Sequence, residues 1–83
     1  MACFVYVLGT RDRAGRTLTY VGWTVDVAAR LAAHNAGHGA KFTRGRRWVL
    51  LHTERFATKR AAMRREWRLK RDRALRKRLA ATL

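Results

Sequence analysis

The sequence predicts a small α+β fold, in which a three-stranded antiparallel sheet is flanked by helices in the order β-β-α-β-α-α. Three apolar stretches of strand length alternate with segments whose apolar residues recur every three or four positions, as they do on one face of a helix. The chain has 83 residues, of which 48 % are hydrophobic. This length and composition suit one domain over residues 1–83 with a single modest core.

An antiparallel hairpin is predicted at the start of the chain. Residues 3–8, CFVYVL, form a continuous apolar and aromatic run, and residues 18–23, LTYVGW, form the returning strand. Residues 9–17 lie between them and contain two glycines and four charged side chains. We therefore expect a long hairpin loop over residues 9–17.

The next segment predicts a helix that Thr24 or Asp26 can cap and that ends near Asn35. Gly37 is well placed to take the left-handed conformation after the helix. Residues 37–47 form a glycine-punctuated basic loop, and residues 48–56, WVLLHTERF, predict the third strand. The early part of that strand is apolar on both faces, as expected of a strand covered by helices.

Two further helices are predicted at the C-terminal end. Thr58 can cap a helix over residues 59–71, in which Met63 and Trp67 lie four residues apart and are expected to pack inward. Asp72 begins a basic helix over residues 71–83 with a narrow stripe of leucines. That stripe is compatible with extending the core, contacting DNA or pairing with another protein.

The charge of the chain predicts a polyanionic partner. Twenty Lys and Arg oppose five Asp and Glu, which gives a formal net charge of +15. Such a field favours nucleic acid, with binding that weakens steeply as salt is added, over the alternatives of an anionic membrane surface or a ribosome-like assembly. Eleven of the twenty cations lie between Lys59 and Arg78, and a second basic group lies in the loop before the third strand.

Several classes of chemistry are excluded by what the sequence lacks. Serine is absent, so no Ser-His-Asp triad is possible, and the single Cys3 excludes an internal disulfide or a cysteine-based metal cluster. No two acidic residues lie closer than six positions, which disfavours a two-metal site. Without an apolar run of membrane-spanning length or a leader-like segment, we expect a cytoplasmic protein, associated with the nucleoid if bacterial.

Five residues are candidates for chemistry, and each also has a structural interpretation. Glu66 is either a surface partner for neighbouring arginines or a ligand for a hard divalent cation. Tyr6 and Tyr20 either fill the sheet surface or help to deprotonate water, which requires nearby cations because a free tyrosine titrates near pH 10. Arg30 and His34 lie one helical turn apart and are either ordinary helix positions or a pair that holds a phosphate.

Taken together, the motifs resemble the GIY-YIG nuclease superfamily. FVYVL followed by YVG is similar to the paired GIY and YIG signatures. YVGWTVDVAARLAAHN resembles the segment after YIG in the small standalone UPF0213-like members and in the Slx-type structure-specific endonucleases. GAKFTRGRRWVLLHTERFATKRAAMRREW continues the likeness through the third strand and the following helix, so that the resemblance covers about residues 3–70.

The resemblance implies roles for residues of the two signature strands. Tyr6 stands for the tyrosine of GIY and Tyr20 for that of YIG, while Gly22 is the glycine that lets the backbone lie close to the site. Phe4 replaces the first glycine of GIY, and valines replace the isoleucines, but neither change removes a catalytic group.

The resemblance also implies roles for the helices. Arg30 matches the catalytic arginine of the first helix, His34 matches the histidine or tyrosine one turn later, and Glu66 matches the metal-binding glutamate. One Mg²⁺ or Mn²⁺ is the implied cofactor.

The expected function is a metal-dependent endonuclease that cleaves DNA by structure rather than by sequence, in repair or recombination. The DNA is expected to be branched or single-stranded, with RNA also open. The alternatives are a non-catalytic nucleic-acid-binding module and a catalytic subunit that needs a targeting partner. The cations expected to contact phosphates are Lys41, Arg44, Arg46, Arg47, Arg65 and Lys70.

Overall fold

The computed structural model describes all residues from 1 to 83 and has the predicted α+β architecture. Its three strands form one antiparallel sheet in the order β2-β1-β3. The predicted order of elements, β-β-α-β-α-α, is confirmed. The elements are β1 (Cys3–Arg11), β2 (Thr17–Thr24), α1 (Val27–Asn35), a 3₁₀ turn (Lys41–Thr43), β3 (Val49–Phe56), α2 (Lys59–Arg71) and α3 (Arg73–Ala80).

The β1–β2 hairpin is tighter than the sequence predicted. The expected loop over residues 9–17 was too long, because β1 continues to Arg11 and β2 already begins at Thr17. The carboxylate of Asp12 accepts hydrogen bonds from the backbone N–H groups of Ala14 and Arg16, both at 2.9 Å. This Asx-type turn needs only residues 12–16 to reverse the chain.

A side-chain hydrogen bond caps the N-terminus of each of the three α-helices. Of the two candidates for α1, Asp26 is the cap, since its carboxylate accepts a hydrogen bond from the N–H of Ala29 at 3.0 Å. Thr58 and Asp72 cap α2 and α3 in the same way, as predicted. Gly37 follows α1 with φ of 83°, the left-handed conformation that the sequence predicted for it.

The central strand β1 is buried on both faces, which explains its continuous apolar run. Val5 and Val7 belong to a core that includes Ala62 and Leu69 of α2. Leu75 and Leu79 of α3 pack against this same core, so the leucine stripe of the third helix extends it. The opposite face carries a second cluster formed by Tyr6, Leu8 and Trp48, against which Leu31 of α1 packs.

The prediction that Met63 and Trp67 pack inward is wrong. Met63 is 46 % exposed and Trp67 is 57 % exposed, while Ala62 and Leu69 are the buried residues of α2. The small Ala62 lets the helix approach the sheet, and Leu69 fills the core two turns later. Met63 lies about 100° around the helix axis from Ala62, outside that contact.

The start of β3 also differs from its prediction. Val49 and Leu50 are both exposed, although the sequence suggested a strand covered on both faces. β3 is an edge strand, and its register against β1 shifts between Val7 and Leu8. No helix of the chain is long and apolar enough to cross a bilayer.

Alanine substitutions of Leu69 and Met63 should differ in their effect on the free energy of unfolding, because Leu69 is on the buried face of α2 and Met63 is on its exposed flank. Leu69→Ala should cost about 2–5 kcal/mol of unfolding free energy because it opens a cavity in the core. Met63→Ala should change it by no more than about 0.5 kcal/mol. Thermal unfolding measures both, with about 4–8 °C lost per kcal/mol in a domain of this size. Equal losses in the two variants would contradict the orientation of α2.

Candidate active site

Tyr6 lies at the centre of the candidate site. Its side chain is buried on the central strand β1. Gly22 lies directly opposite it on β2. A Cβ atom at position 22 would lie 2.6 Å from Cζ of Tyr6, which is far inside van der Waals contact. Gly22 therefore creates the space that the phenol ring occupies.

His34, in the last turn of α1, is fully buried beside Tyr6. Its Nε2 atom lies 2.8 Å from the Tyr6 hydroxyl, and its Nδ1 atom lies 2.7 Å from the Thr43 hydroxyl. The Thr43 hydroxyl donates its hydrogen to the carbonyl of Ala40 at 2.8 Å, so Nδ1 carries the hydrogen shared with Thr43. Nε2 is then the acceptor for the Tyr6 hydroxyl. The Ala40 N–H is 3.5 Å from Nδ1, too far to compete.

The loop after α1 holds the imidazole in place. A Cβ atom at Gly39 would lie 2.7 Å from Cγ of His34, so only glycine lets this loop close over the ring. Sequence reasoning missed both Gly39 and Thr43. The only sequence signal for the close approach was the glycine spacing in GHGAK, which also suits an ordinary loop.

The electrostatic environment keeps both members of the pair neutral. Burial lowers the pKa of His34, and the positive charge of Arg30 lowers it further. Burial raises the pKa of Tyr6, and the adjoining Arg30 guanidinium offsets only part of that rise, while Tyr20 and Glu66 add to it. The resting arrangement is therefore a neutral phenol that donates a hydrogen bond to a neutral imidazole.

Three of the other predicted site residues lie around this pair. Arg30 is half-buried on α1, one turn before His34. The ring of Tyr20 lies 4.9 Å from that of His34 and 6.4 Å from that of Tyr6, between centroids. Glu66 reaches the site from α2, close enough for its charge to raise the pKa of Tyr6.

Glu66 is the residue of the site that suits a hard cation. Its carboxylate is half-buried, and its ion pair with Lys70 is long, at 3.8 Å. No group of three or more His, Cys, Asp or Glu side chains lies together anywhere in the protein. An ion held by Glu66 would therefore take most of its ligands from water and phosphate, an arrangement that Mg²⁺ tolerates well.

Some of the cations predicted to contact phosphates are exposed, and others are already paired with carboxylates. Lys41 and Arg44 are exposed at the 3₁₀ turn. Lys70 is exposed and pairs loosely with Glu66. Arg65, in contrast, forms two hydrogen bonds to Glu54 of β3, at 2.8 and 3.0 Å, and these raise its pKa. Its guanidinium joins α2 to β3.

Arg46 and Arg47 lie in a cleft that the sequence did not predict. The cleft has a volume of about 510 Å³ between the hairpin and the loop before β3. A hydrogen bond of 2.6 Å from the Thr10 hydroxyl to the carbonyl of Arg47 joins its two sides. The other arginines that line it are Arg11, Arg13 and Arg16.

Comparison with known proteins gives consistent matches over nearly the whole chain. Residues 2–78 match the profile of the GIY-YIG catalytic domain. A UPF0213 protein of Natronomonas pharaonis is 50 % identical over 80 residues, covering 94 % of this chain and 89 % of the relative. A UPF0213 protein of Halobacterium salinarum is 56 % identical over 67 residues, covering 80 % of this chain and 82 % of the relative.

A solved structure shows the same fold. The solution NMR structure of a UPF0213 protein from Bacillus halodurans is 37 % identical to this chain, with a TM-score of 0.51. The match covers 99 % of this chain and 85 % of that protein.

The buried His34 should make the protein less stable as the pH falls. Its folded pKa lies below the ordinary value of 6.5, so the unfolded chain binds a proton that the folded chain refuses. The free energy of unfolding should therefore decrease as the pH is lowered through 6.5. NMR of the imidazole nitrogens should show titration below pH 6.5 and hydrogen on Nδ1. A ring that titrates above pH 6.5, or that carries its hydrogen on Nε2 when neutral, would contradict the arrangement.

Proposed function

This chain belongs to the GIY-YIG catalytic domain family, a family of nuclease domains, and on that premise we propose that it is a divalent-metal-dependent endonuclease that hydrolyses DNA phosphodiester bonds. The family match confirms the resemblance that the sequence motifs predicted. The observation that carries the proposal is the hydrogen bond from the Tyr6 hydroxyl to Nε2 of the neutral His34, with Arg30 beside both rings. That arrangement suits general-base activation of water next to a phosphate.

Tyr6 and His34 act together as the base. The raised pKa of Tyr6 and the lowered pKa of His34 place the proton on the phenol at rest. When the attacking water gives a proton to the phenol oxygen, the phenol passes its own proton to Nε2 of His34. Thr43 holds the opposite ring nitrogen, so the acceptor atom already points at Tyr6 when the reaction begins.

Arg30 supplies positive charge where the reaction develops negative charge. Arg30 lies on α1 one helical turn before His34, and its positive charge offsets part of the rise that burial causes in the pKa of Tyr6. It binds the scissile phosphate and stabilises the charge that builds on the phosphate oxygens during attack. The same charge favours the phenolate character that Tyr6 acquires as its own proton passes to Nε2 of His34, before the proton of the attacking water replaces it.

Glu66 is the residue that would hold the ion, Mg²⁺ or Mn²⁺. When bound, such an ion supplies Lewis-acid stabilisation of the phosphate and of the leaving 3′-oxygen. Burial is the main cause of the raised pKa of Tyr6, and the negative charge of Glu66 adds a smaller part to it.

The cations of the protein bind the phosphates of DNA without reading bases. Lys41 and Arg44 lie beside the site, and the arginine cleft lies at the far end of β1. Arg11 lies five positions after Tyr6, which corresponds to about 17 Å along a strand. DNA bound across both places would extend several nucleotides to one side of the scissile bond. Recognition by structure, and a role in repair or recombination, follow as part of the proposal.

The catalytic roles predict that three variants lose cleavage by different amounts and that a fourth, the control, retains it. Tyr6→Phe keeps the ring but removes the hydroxyl, and should slow cleavage about 10²–10⁴-fold. Arg30→Ala should slow it about 10²–10³-fold. Glu66→Gln should abolish cleavage while leaving DNA affinity unchanged or slightly higher. Glu54→Gln, the same change at a carboxylate of β3 that pairs with Arg65 on the other flank of α2, should retain cleavage. The measurement is a labelled panel of single-stranded, duplex, flap and four-way-junction DNA and RNA with Mg²⁺, Mn²⁺ or EDTA.

The panel also decides between the nuclease and its alternatives. Metal-dependent cleavage that Glu66→Gln removes supports the proposal and identifies the preferred substrate. Tight, salt-sensitive binding without cleavage by the folded wild type would instead indicate a binding module. Cleavage that begins only when a partner protein is added would indicate a catalytic subunit.

The arginine cleft predicts a loss of affinity that is independent of chemistry. Arg13→Ala combined with Arg47→Ala should weaken DNA binding in EDTA and reduce the slope of log affinity against log salt by about 0.9 per lost duplex phosphate contact. Arg64→Ala, an exposed arginine on the outer side of α2, serves as the matched control with little effect. An unchanged salt slope in the double variant would show that DNA does not reach the cleft.

A further inference from the structure

Helix α2 exposes a tryptophan that the fold does not need. Trp67 is 57 % exposed, and Met63, one turn earlier, is 46 % exposed. The core side of α2 is completed by Ala62 and Leu69, so burial explains neither side chain. An indole held at the surface of a strongly basic helix requires another explanation.

Arg71 fixes the position of the indole. Its guanidinium carbon lies 3.7 Å from the centroid of the Trp67 ring, and its Nη1 donates a hydrogen bond of 3.0 Å to the carbonyl of Trp67. A cation stacked at this distance covers one face of the ring. Because more than half of Trp67 is still accessible, the opposite face remains open to a flat ligand.

The indole lies on the flank of α2 that also carries Glu66. Lys70 contacts Glu66 at 3.8 Å, and Lys59 lies over the ring of Trp23 on β2 at 5.1 Å. Residues three and four apart share one side of a helix, so positions 59, 63, 66, 67 and 70 form a continuous flank. The contact with Trp23 turns this flank toward β2, the strand of Tyr20 and Gly22.

The opposite flank of α2 faces a different strand and has a different composition. There Arg65 pairs with Glu54 of β3, and Arg64 and Arg68 line a shallow cleft with Phe56. No tryptophan lies on that side. The exposed tryptophan of α2 therefore lies on the flank that carries the candidate metal ligand.

We propose that Trp67 is a stacking platform for a nucleobase of DNA bound at the candidate site. A base offers a flat π-face that matches the open face of the indole, and its phosphates match Lys70 and Arg71 on either side. A base inside a duplex is already stacked on both faces, so the platform takes a base that is unpaired or turned outward. This inference rests on one part of the proposed function, namely that DNA binds next to Glu66.

The test compares two strands of equal charge. A fluorescent oligothymidylate and an abasic strand of the same length are titrated with protein in EDTA, where no cleavage occurs. The wild type should bind the thymidylate about five- to 150-fold more tightly, the range expected for one base–aromatic stack. Trp67→Ala should abolish this preference without changing affinity for the abasic strand, and Trp67→Phe should keep most of it.

Met63→Ala is the control on the same flank and should retain the preference, while thermal unfolding verifies that every variant is folded. Equal binding of both strands by the wild type would overturn the proposal. So would a full thymidylate preference in Trp67→Ala, particularly if Phe42→Ala removed it, because Phe42 is the other exposed aromatic near the site.

Cleavage assays separate this inference from the proposed function. A preference that depends on Trp67, without metal-dependent cleavage of any substrate, would uphold the platform and reject the nuclease. Cleavage lost in Glu66→Gln, with no thymidylate preference, would uphold the nuclease and reject the platform.

Discussion

The buried hydrogen bond between Tyr6 and His34 is the interaction on which the rest of the site depends. It joins the central strand to α1 across the face of the sheet that the larger core does not occupy. A buried polar group left without a partner costs about 1–3 kcal/mol, so each residue requires the other. Gly22 and Gly39 give the two rings their space, and Thr43 fixes the tautomer. Stability and the proposed proton transfer thus depend on the same contact.

The larger core and the candidate site lie on opposite faces of the sheet. One face of β1 packs against α2 and α3, and alternate residues on the other face point toward α1. Glu66 is the exception. It belongs to α2, which packs on the core face, and its charge still contributes to the raised pKa of Tyr6. The Tyr6 ring lies over Gly22 of β2, and Lys59, on the same flank of α2 as Glu66, contacts Trp23 of that strand. A side chain at position 22 would displace the Tyr6 ring.

Much of this arrangement could be predicted from local sequence. Periodicity, turn residues and caps gave the order of the elements, and motif similarity indicated Tyr6, Arg30 and Glu66 before any geometry was known. The prediction for Trp67 failed because four-residue spacing identifies a shared side of a helix but not which side faces the sheet. Gly39 and the hairpin arginines were missed because their roles arise from contacts between segments distant in sequence. Such contacts leave no local pattern.

The distribution of the five acids explains why Glu66 differs from the others. In a chain of net charge +15, any carboxylate has cations nearby, so proximity to arginine carries no information. The structural contacts that each of the five acids makes do distinguish them. Asp26 and Asp72 cap helices, Asp12 forms the hairpin turn, and Glu54 is bound by Arg65 and His52. Glu66 alone accepts no hydrogen bond and has only the long contact with Lys70. Glu66 is therefore the acid whose carboxylate the fold leaves available, and the proposed divalent ion would bind there with water and phosphate oxygens as its other ligands.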